Sequence, residues 1–113
     1  MKALCFKEPW ASFVREGKKT IETRTWATSY RGDILLCASK RPSSEISGKA
    51  FAVATLAEVR AMTKDDEKQA CCKIYPRAHA WILHDIKKIS LFPVRGMLGL
   101  FTLNVEEKDL RYE

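Results

Sequence analysis

The sequence has few of the residues from which metal sites and nucleophilic active sites are built. It contains two histidines, His79 and His84, and four cysteines that form no C-x-x-C pair, so a zinc site has poor support. Neither histidine has a serine or cysteine partner at a recognisable spacing, which disfavours a histidine-based triad. We therefore expect no metal and no cofactor, and we expect the cysteines to be reduced, small apolar side chains.

Long hydrophobic runs are also missing. No apolar run approaches the roughly 20 residues of a transmembrane helix, and the first residues lack the apolar region of a secretory signal. The chain has 113 residues, of which 46% are hydrophobic and 30% charged, and it shows no repeat, linker or low-complexity tract. We expect one cytoplasmic domain, residues 1–113, with no membrane contact and with a charged tail, 106–113, that frays.

The charge balance points to an anionic partner. The formal net charge is +6 at pH 7, and an excess of this size on a small chain favours nucleic acid first. The charge does not identify the partner, because many basic proteins bind RNA nonspecifically through counterion release.

The order of elements excludes a regular β-α alternation. Strand patterns cover residues 4–6, 20–26, 34–38, 50–59, 81–89 and 98–105, and helix patterns cover 9–16 and 63–74. Gly17 suits the residue after a helix, and Thr63 with Asp66 resembles a capping box. We predict an α+β domain: a small β-barrel of five to six strands with two or three short helices packed outside.

The segment 16–26 carries the densest polar chemistry. It reads GxKxxExR through Gly17, Lys19, Glu22 and Arg24. Strand alternation places Glu22, Arg24 and Trp26 on one face, a surface suited to a planar, charged ligand. Lys19 would lie on the opposite face unless it precedes the regular strand or sits at a bulge. The alternative for Glu22 and Arg24 is a solvated ion pair that contributes about 0–1 kcal/mol.

Two further groups are candidates for ligand contact. Trp26, Tyr30 and Arg31 combine aromatic rings with a positive charge, as base stacking and phosphate contact require, although Trp26 could equally be part of the barrel wall. Three polar residues, Ser39, Lys40 and Arg41, follow the buried strand where a barrel rim is expected; the alternative is an ordinary basic loop. We expect Trp10 and Trp81 to be core residues.

The GxKxxExR pattern resembles the signature of ASCH domains, a branch of the PUA-like, RNA-associated folds. The segments around it are also similar to the family: 9–12, 26–32, 36–40, 80–83 and 92–101. The likeness covers most of residues 2–105. It implies a PUA-like barrel, and members of the family include RNA-associated modules and small amidohydrolases.

The leading hypothesis is an RNA- or nucleotide-binding module whose basic, aromatic cleft is built on the motif. The alternative implied by the resemblance is a metal-independent amidohydrolase acting on acylated cytidine nucleosides. Lys19 matches its lysine, but Glu22 stands where its threonine is expected. In that case Glu22 would act as general base and Lys19 would stabilise the oxyanion. A ribonuclease and a protein-interaction adaptor are further alternatives.

Overall fold

Six strands form a single curled sheet in the computed structural model, which describes all 113 residues. The strands are β1 (Lys2–Phe6), β2 (Ile21–Arg24), β3 (Gly32–Ala38), β4 (Lys49–Ala61), β5 (His79–Pro93) and β6 (Leu100–Thr102). The helices are α1 (Trp10–Arg15) and α2 (Glu67–Ala70), with 3₁₀ turns at Lys64–Asp66 and Glu107–Asp109. This curled half-barrel with few short helices confirms the predicted α+β, PUA-like class.

The strand order is β2-β5-β4-β3-β1-β6, and only β1 and β3 run parallel. Apolar side chains alternate between the two faces. Leu4 and Phe6 join the larger core with Val14 of α1, whereas Ala3 and Leu35 join a second core on the other face. Trp81 is fully buried, as predicted. The short strand β2 pairs with β5, which in turn forms a long antiparallel pair with β4.

The chain reverses direction between α1 and β2 at Gly17. Its φ of +83° is in the left-handed region, as predicted for the residue after a helix. The N–H of Gly17 donates to the carbonyl of Val14, and the N–H groups of Lys18 and Lys19 both donate to that of Phe13. These bonds wrap the motif around the end of α1 and lead it into β2.

The second helical segment is shorter than its sequence pattern predicts. The capping box is present, since the Asp66 carboxylate accepts the Thr63 N–H at 2.8 Å. The helix nevertheless ends at Ala70 rather than near residue 74, because Cys71 adopts a left-handed conformation with φ +56°. The Glu67 carboxylate then accepts the N–H of Ile74 at 2.7 Å, which fixes the exit of the chain.

The carboxyl-terminal tail differs from the expectation of fraying. Leu110 is buried in the second core. The N–H of Ser90 donates to the Arg111 carbonyl at 2.7 Å, and the N–H of Glu113 donates to that of Lys88 at 3.1 Å. The charged composition suggested a solvated tail. Instead, the buried side chain of Leu110 and the backbone hydrogen bonds to β5 hold the tail against the sheet.

None of the helices has the length and apolar character needed to cross a membrane.

Candidate functional site

The side chains of Lys19, Glu22 and Arg24 meet in one cluster. Lys19 lies before β2, in the turn after Gly17, so strand alternation does not apply to it. Its Nζ is 3.4 Å from Glu22 Oε1 and also donates to the carbonyl of Ala70. The structure therefore places Lys19 beside Glu22, as the first of the two geometries considered from the sequence requires.

Both oxygens of the Glu22 carboxylate are engaged. Oε1 accepts the N–H of Thr23 at 3.0 Å and faces Lys19. Oε2 accepts Arg24 Nε at 3.0 Å and lies 2.8 Å from Nη2. Nη2 also donates to the carbonyl of Cys5 at 2.7 Å. Two cations thus share one carboxylate, and the cluster carries one net positive charge although Lys19 is only 1% exposed.

The cluster forms part of the wall of a cavity of about 390 Å³, here called the central cavity. Segments from across the chain contribute: the end of β1, α1, the motif, the residue after β3, the segment after α2 and the loop 94–99. The lining residues are Cys5, Lys7, Trp10, Lys19, Glu22, Thr23, Arg24, Ser39, Cys72, Tyr75, Met97, Leu98 and Gly99.

Comparison with known proteins identifies the family. A family model described as the ASCH domain matches residues 4–93. The chain belongs to the ASCH family. The PUA-like fold of this family is often linked to RNA binding. None of the curated protein sequences compared with the chain is a match.

Solved structures support the same fold. The crystal structure of ASCH from Zymomonas mobilis is 16% identical, with a TM-score of 0.72 over 96% of this chain and 89% of that one. Two point variants of that protein also match. A Tyr-to-Phe variant has 15% identity and a TM-score of 0.68, over 96% of this chain and 91% of that one. A Ser-to-Ala variant has 15% identity and a TM-score of 0.67, over 96% and 89%. At this identity the likeness shows the fold alone.

Two open clefts flank the central cavity of this ASCH domain. The Lys40 cleft, about 950 Å³, runs along loop 94–99 and includes Ser39, Lys40 and Arg95. The Trp26 cleft, about 540 Å³, includes Lys2, Trp26 and Tyr30. Leu98, which is fully exposed, borders all three spaces.

The structure separates the residues that sequence reasoning grouped into one site. Arg24 and Ser39 line the central cavity with Lys19 and Glu22, and Lys40 is in the neighbouring cleft. Trp26 and Tyr30 are in the opposite cleft, where Trp26 packs edge-on against Trp81 with ring centroids 4.8 Å apart.

Arg31 and Arg41 line none of the three spaces. Arg31 Nη1 donates to the carbonyls of Thr28 and Tyr30, both at 2.8 Å. Arg41 is exposed on the loop after β3. Neither arginine is therefore part of the wall that Lys19, Glu22 and Arg24 form, and their place in the site stays a prediction.

Sequence reasoning missed several lining residues. Trp10 was expected in the core because Trp10, Phe13 and Val14 are spaced as one helical face. The structure corrects this: Trp10 is 37% exposed and lines the cavity, because the first turn of α1 lies at the cavity edge. No local sequence pattern identified Lys7 or Tyr75 as site residues, because only the folding of distant segments brings them to the motif.

Cys5 has a distinctive environment in the cavity wall. Cys37 is its partner across β1 and β3, the backbone of loop 94–99 packs on its sulfur, and the Arg24 guanidinium is nearby. The interaction with the Cys37 side chain, opposed by burial and helped by the Met97 backbone and the Arg24 charge, lowers the pKa of Cys5 to about 7. The same contact and burial raise the pKa of Cys37, which stays protonated.

No three or more His, Cys, Asp or Glu side chains come together as a metal site would require. His79 on β5 pairs with Arg24 on β2 in the strand register. The Nδ1 atom of His79 is buried and has no hydrogen-bond partner.

Proposed function

We propose that the central cavity binds one nucleotide of a single-stranded RNA. The observation that supports this most directly is the cluster of Lys19, Glu22 and Arg24, in which two cations share one carboxylate at the wall of the central cavity. The remaining positive charge favours an anionic ligand, and Lys7, an exposed residue of the lining, adds a third cation. A volume of about 390 Å³ is within the range of about 300–1,000 Å³ usual for sites that enclose small ligands.

Arg24 is the residue best placed to contact the ligand. A guanidinium has five N–H donors in a fixed plane. The bonds to Glu22 and to the Cys5 carbonyl use Nε and Nη2, which fixes the plane and leaves Nη1 available. A guanidinium held in this way binds a phosphate or a base edge with little further loss of side-chain freedom.

Aromatic side chains in the same cavity supply a surface for the base. Trp10 and Tyr75 both line it, and stacking of a base on an aromatic ring contributes about 1–3 kcal/mol. The flanking clefts continue the surface on both sides, with Lys40 and Arg95 in one and Lys2 in the other. This continuity favours a strand that passes across the domain over a free nucleotide.

The carboxylate geometry favours binding over hydrolysis by the residues that the sequence suggested. A general base needs an oxygen free to accept a proton from water. Both Glu22 oxygens already accept hydrogen bonds or face a cation, and Lys19 is held by Glu22 and by the Ala70 carbonyl. These contacts describe a positioning role for Glu22 and Lys19, which present Arg24 to the ligand.

The test is RNA affinity measured by fluorescence anisotropy over a range of salt concentrations. Lys7→Ala should weaken binding of a short single-stranded RNA and reduce the slope of log affinity against log salt by about 0.7 for each phosphate that the protein no longer neutralises. Arg24→Lys, which keeps the charge but removes the planar fork, should also weaken binding.

Lys108→Ala is the matched control. Lys108 is on the tail with a side chain 79% exposed, outside all three spaces, and its removal lowers the net charge by the same amount as Lys7→Ala. Equal reductions in affinity for Lys7→Ala and Lys108→Ala would mean that binding is nonspecific and would overturn the proposal.

A further inference from the structure

Cys5 and Cys37 form a facing pair on two neighbouring strands. They are register partners in the parallel β1–β3 pairing, and both are on the face of the second core. Adjacent strands lie about 4.7–4.9 Å apart, which falls inside the roughly 4.4–6.8 Å range of Cα separations in disulfides. Cys37 is fully buried, whereas Cys5 is partly exposed and lines the central cavity.

The surroundings of the pair assign different chemistry to its two members. Cys5 faces Cys37 across the strand pair, the backbone of loop 94–99 packs on its sulfur, and Arg24 adds positive charge. These contacts favour the thiolate, which is the nucleophilic form of cysteine. Cys37 keeps its proton and is the strand partner of the cysteine that would be modified, so it is placed as a resolving thiol.

We propose that Cys5 is a modification site at which hydrogen peroxide oxidises the sulfur and Cys37 then closes a Cys5–Cys37 disulfide. In the first step the Cys5 thiolate attacks one peroxide oxygen and the O–O bond breaks. The products are a Cys5 sulfenic acid and hydroxide. In the second step the Cys37 sulfur attacks the Cys5 sulfur, the S–O bond breaks, and water leaves with the Cys37 proton. The two sulfurs together lose two electrons, and the peroxide gains them.

Formation of the disulfide would change the surroundings of the loop 94–99. A Cβ on Gly96 would lie 3.0 Å from Cys5 Sγ, so the loop backbone packs directly on the sulfur. A bond to Cys37 fixes that sulfur toward β3 and so changes the surroundings of the loop backbone at Gly96 and Met97. The amide resonance of Met97 therefore gives a readout of the modification that is independent of mass.

The experiment is peptide mapping of the reduced full-length chain after brief exposure to a stoichiometric amount of hydrogen peroxide, with remaining thiols alkylated. We expect the loss of two hydrogen atoms, a cross-linked peptide that joins Cys5 to Cys37, and alkylated Cys71 and Cys72. The Met97 amide resonance should shift in the same sample and return on reduction.

Two variants sharpen the result. In Cys37→Ala the second step is blocked, so Cys5 should retain one oxygen atom and react with a cyclic 1,3-diketone that traps sulfenic acids. Cys5→Ser should show no early oxidation at Cys37. Should Cys37→Ala fail to fold, the wild-type cross-link alone decides the proposal. Early oxidation confined to Cys71 and Cys72, or a Cys5 oxidised no faster than Cys71, would overturn it.

Discussion

Lys19 and Glu22 form an ion pair in which Nζ lies 3.4 Å from Oε1, with the lysine almost completely removed from solvent. The same carboxylate holds the guanidinium of Arg24 through its other oxygen. Glu22 therefore has two tasks, to compensate a buried charge and to orient the guanidinium of Arg24.

The first prediction concerns the stability of this pair. Glu22→Gln leaves Lys19 buried without a counter-charge, and breaking a buried pair from one side costs about 3–5 kcal/mol. Lys19→Met removes the buried charge, while Glu22 keeps its pairing with Arg24, and should cost less than Glu22→Gln. Urea unfolding of both variants measures the difference. A Lys19→Met variant less stable than Glu22→Gln would show that the pair is not organised around Glu22.

The second prediction concerns the stacking surface. Trp10→Ala should weaken single-stranded RNA binding by about 5- to 150-fold, the equivalent of about 1–3 kcal/mol for one stacked base. Trp10→Phe keeps an aromatic face and should retain most of the affinity. Fluorescence anisotropy measures both. Unchanged affinity in Trp10→Ala would remove Trp10 from the binding surface.

The third prediction concerns acid stability at the start of the second helical segment. Arg60 forms a two-pronged pair with Asp66, at 2.7 and 2.8 Å, and this pairing lowers the pKa of the Asp66 carboxyl to about 2. A lowered folded-state pKa contributes stability above the unfolded-state value of about 4, and that stability is lost as the pH falls toward 2. Since Arg60 is half-exposed, we expect on the order of 1–2 kcal/mol.

Asp66→Asn isolates this contribution. The difference in unfolding free energy between wild type and variant should be largest above about pH 4 and should shrink toward pH 2. Urea unfolding at several pH values measures it. A difference that stays constant across this range would show that the charge of Asp66 is not what stabilises the segment.

Local signals predicted the features that depend on local chemistry. Gly17 was identified as the residue after a helix because a left-handed conformation costs glycine little, and its φ is +83°. Thr63 and Asp66 were identified as a capping box, since the spacing of the two side chains is itself the structural motif. Glu22 and Arg24 were paired correctly because strand alternation applies within β2.

The remainder of the site depends on contacts that a local pattern does not contain. The position of Lys19 follows from hydrogen bonds to the Phe13 carbonyl and not from strand periodicity. Trp10 has core spacing, yet it faces the cavity because α1 is only six residues long and lies at its edge. Met97 and Leu98 reach the motif through the pairing of β6 with β1, which joins residues about a hundred positions apart in the chain.

The most direct test of the central claim is an amide and indole titration by NMR with a short single-stranded RNA. The three tryptophan indoles report on three places: Trp10 on the central cavity, Trp26 on a flanking cleft, and Trp81 on the buried core. We expect saturable shifts at the Trp10 indole and the Arg24 amide, and little change at the Trp81 indole. Shifts confined to Arg31 and Arg41, with Trp10 and Arg24 unchanged, would contradict it.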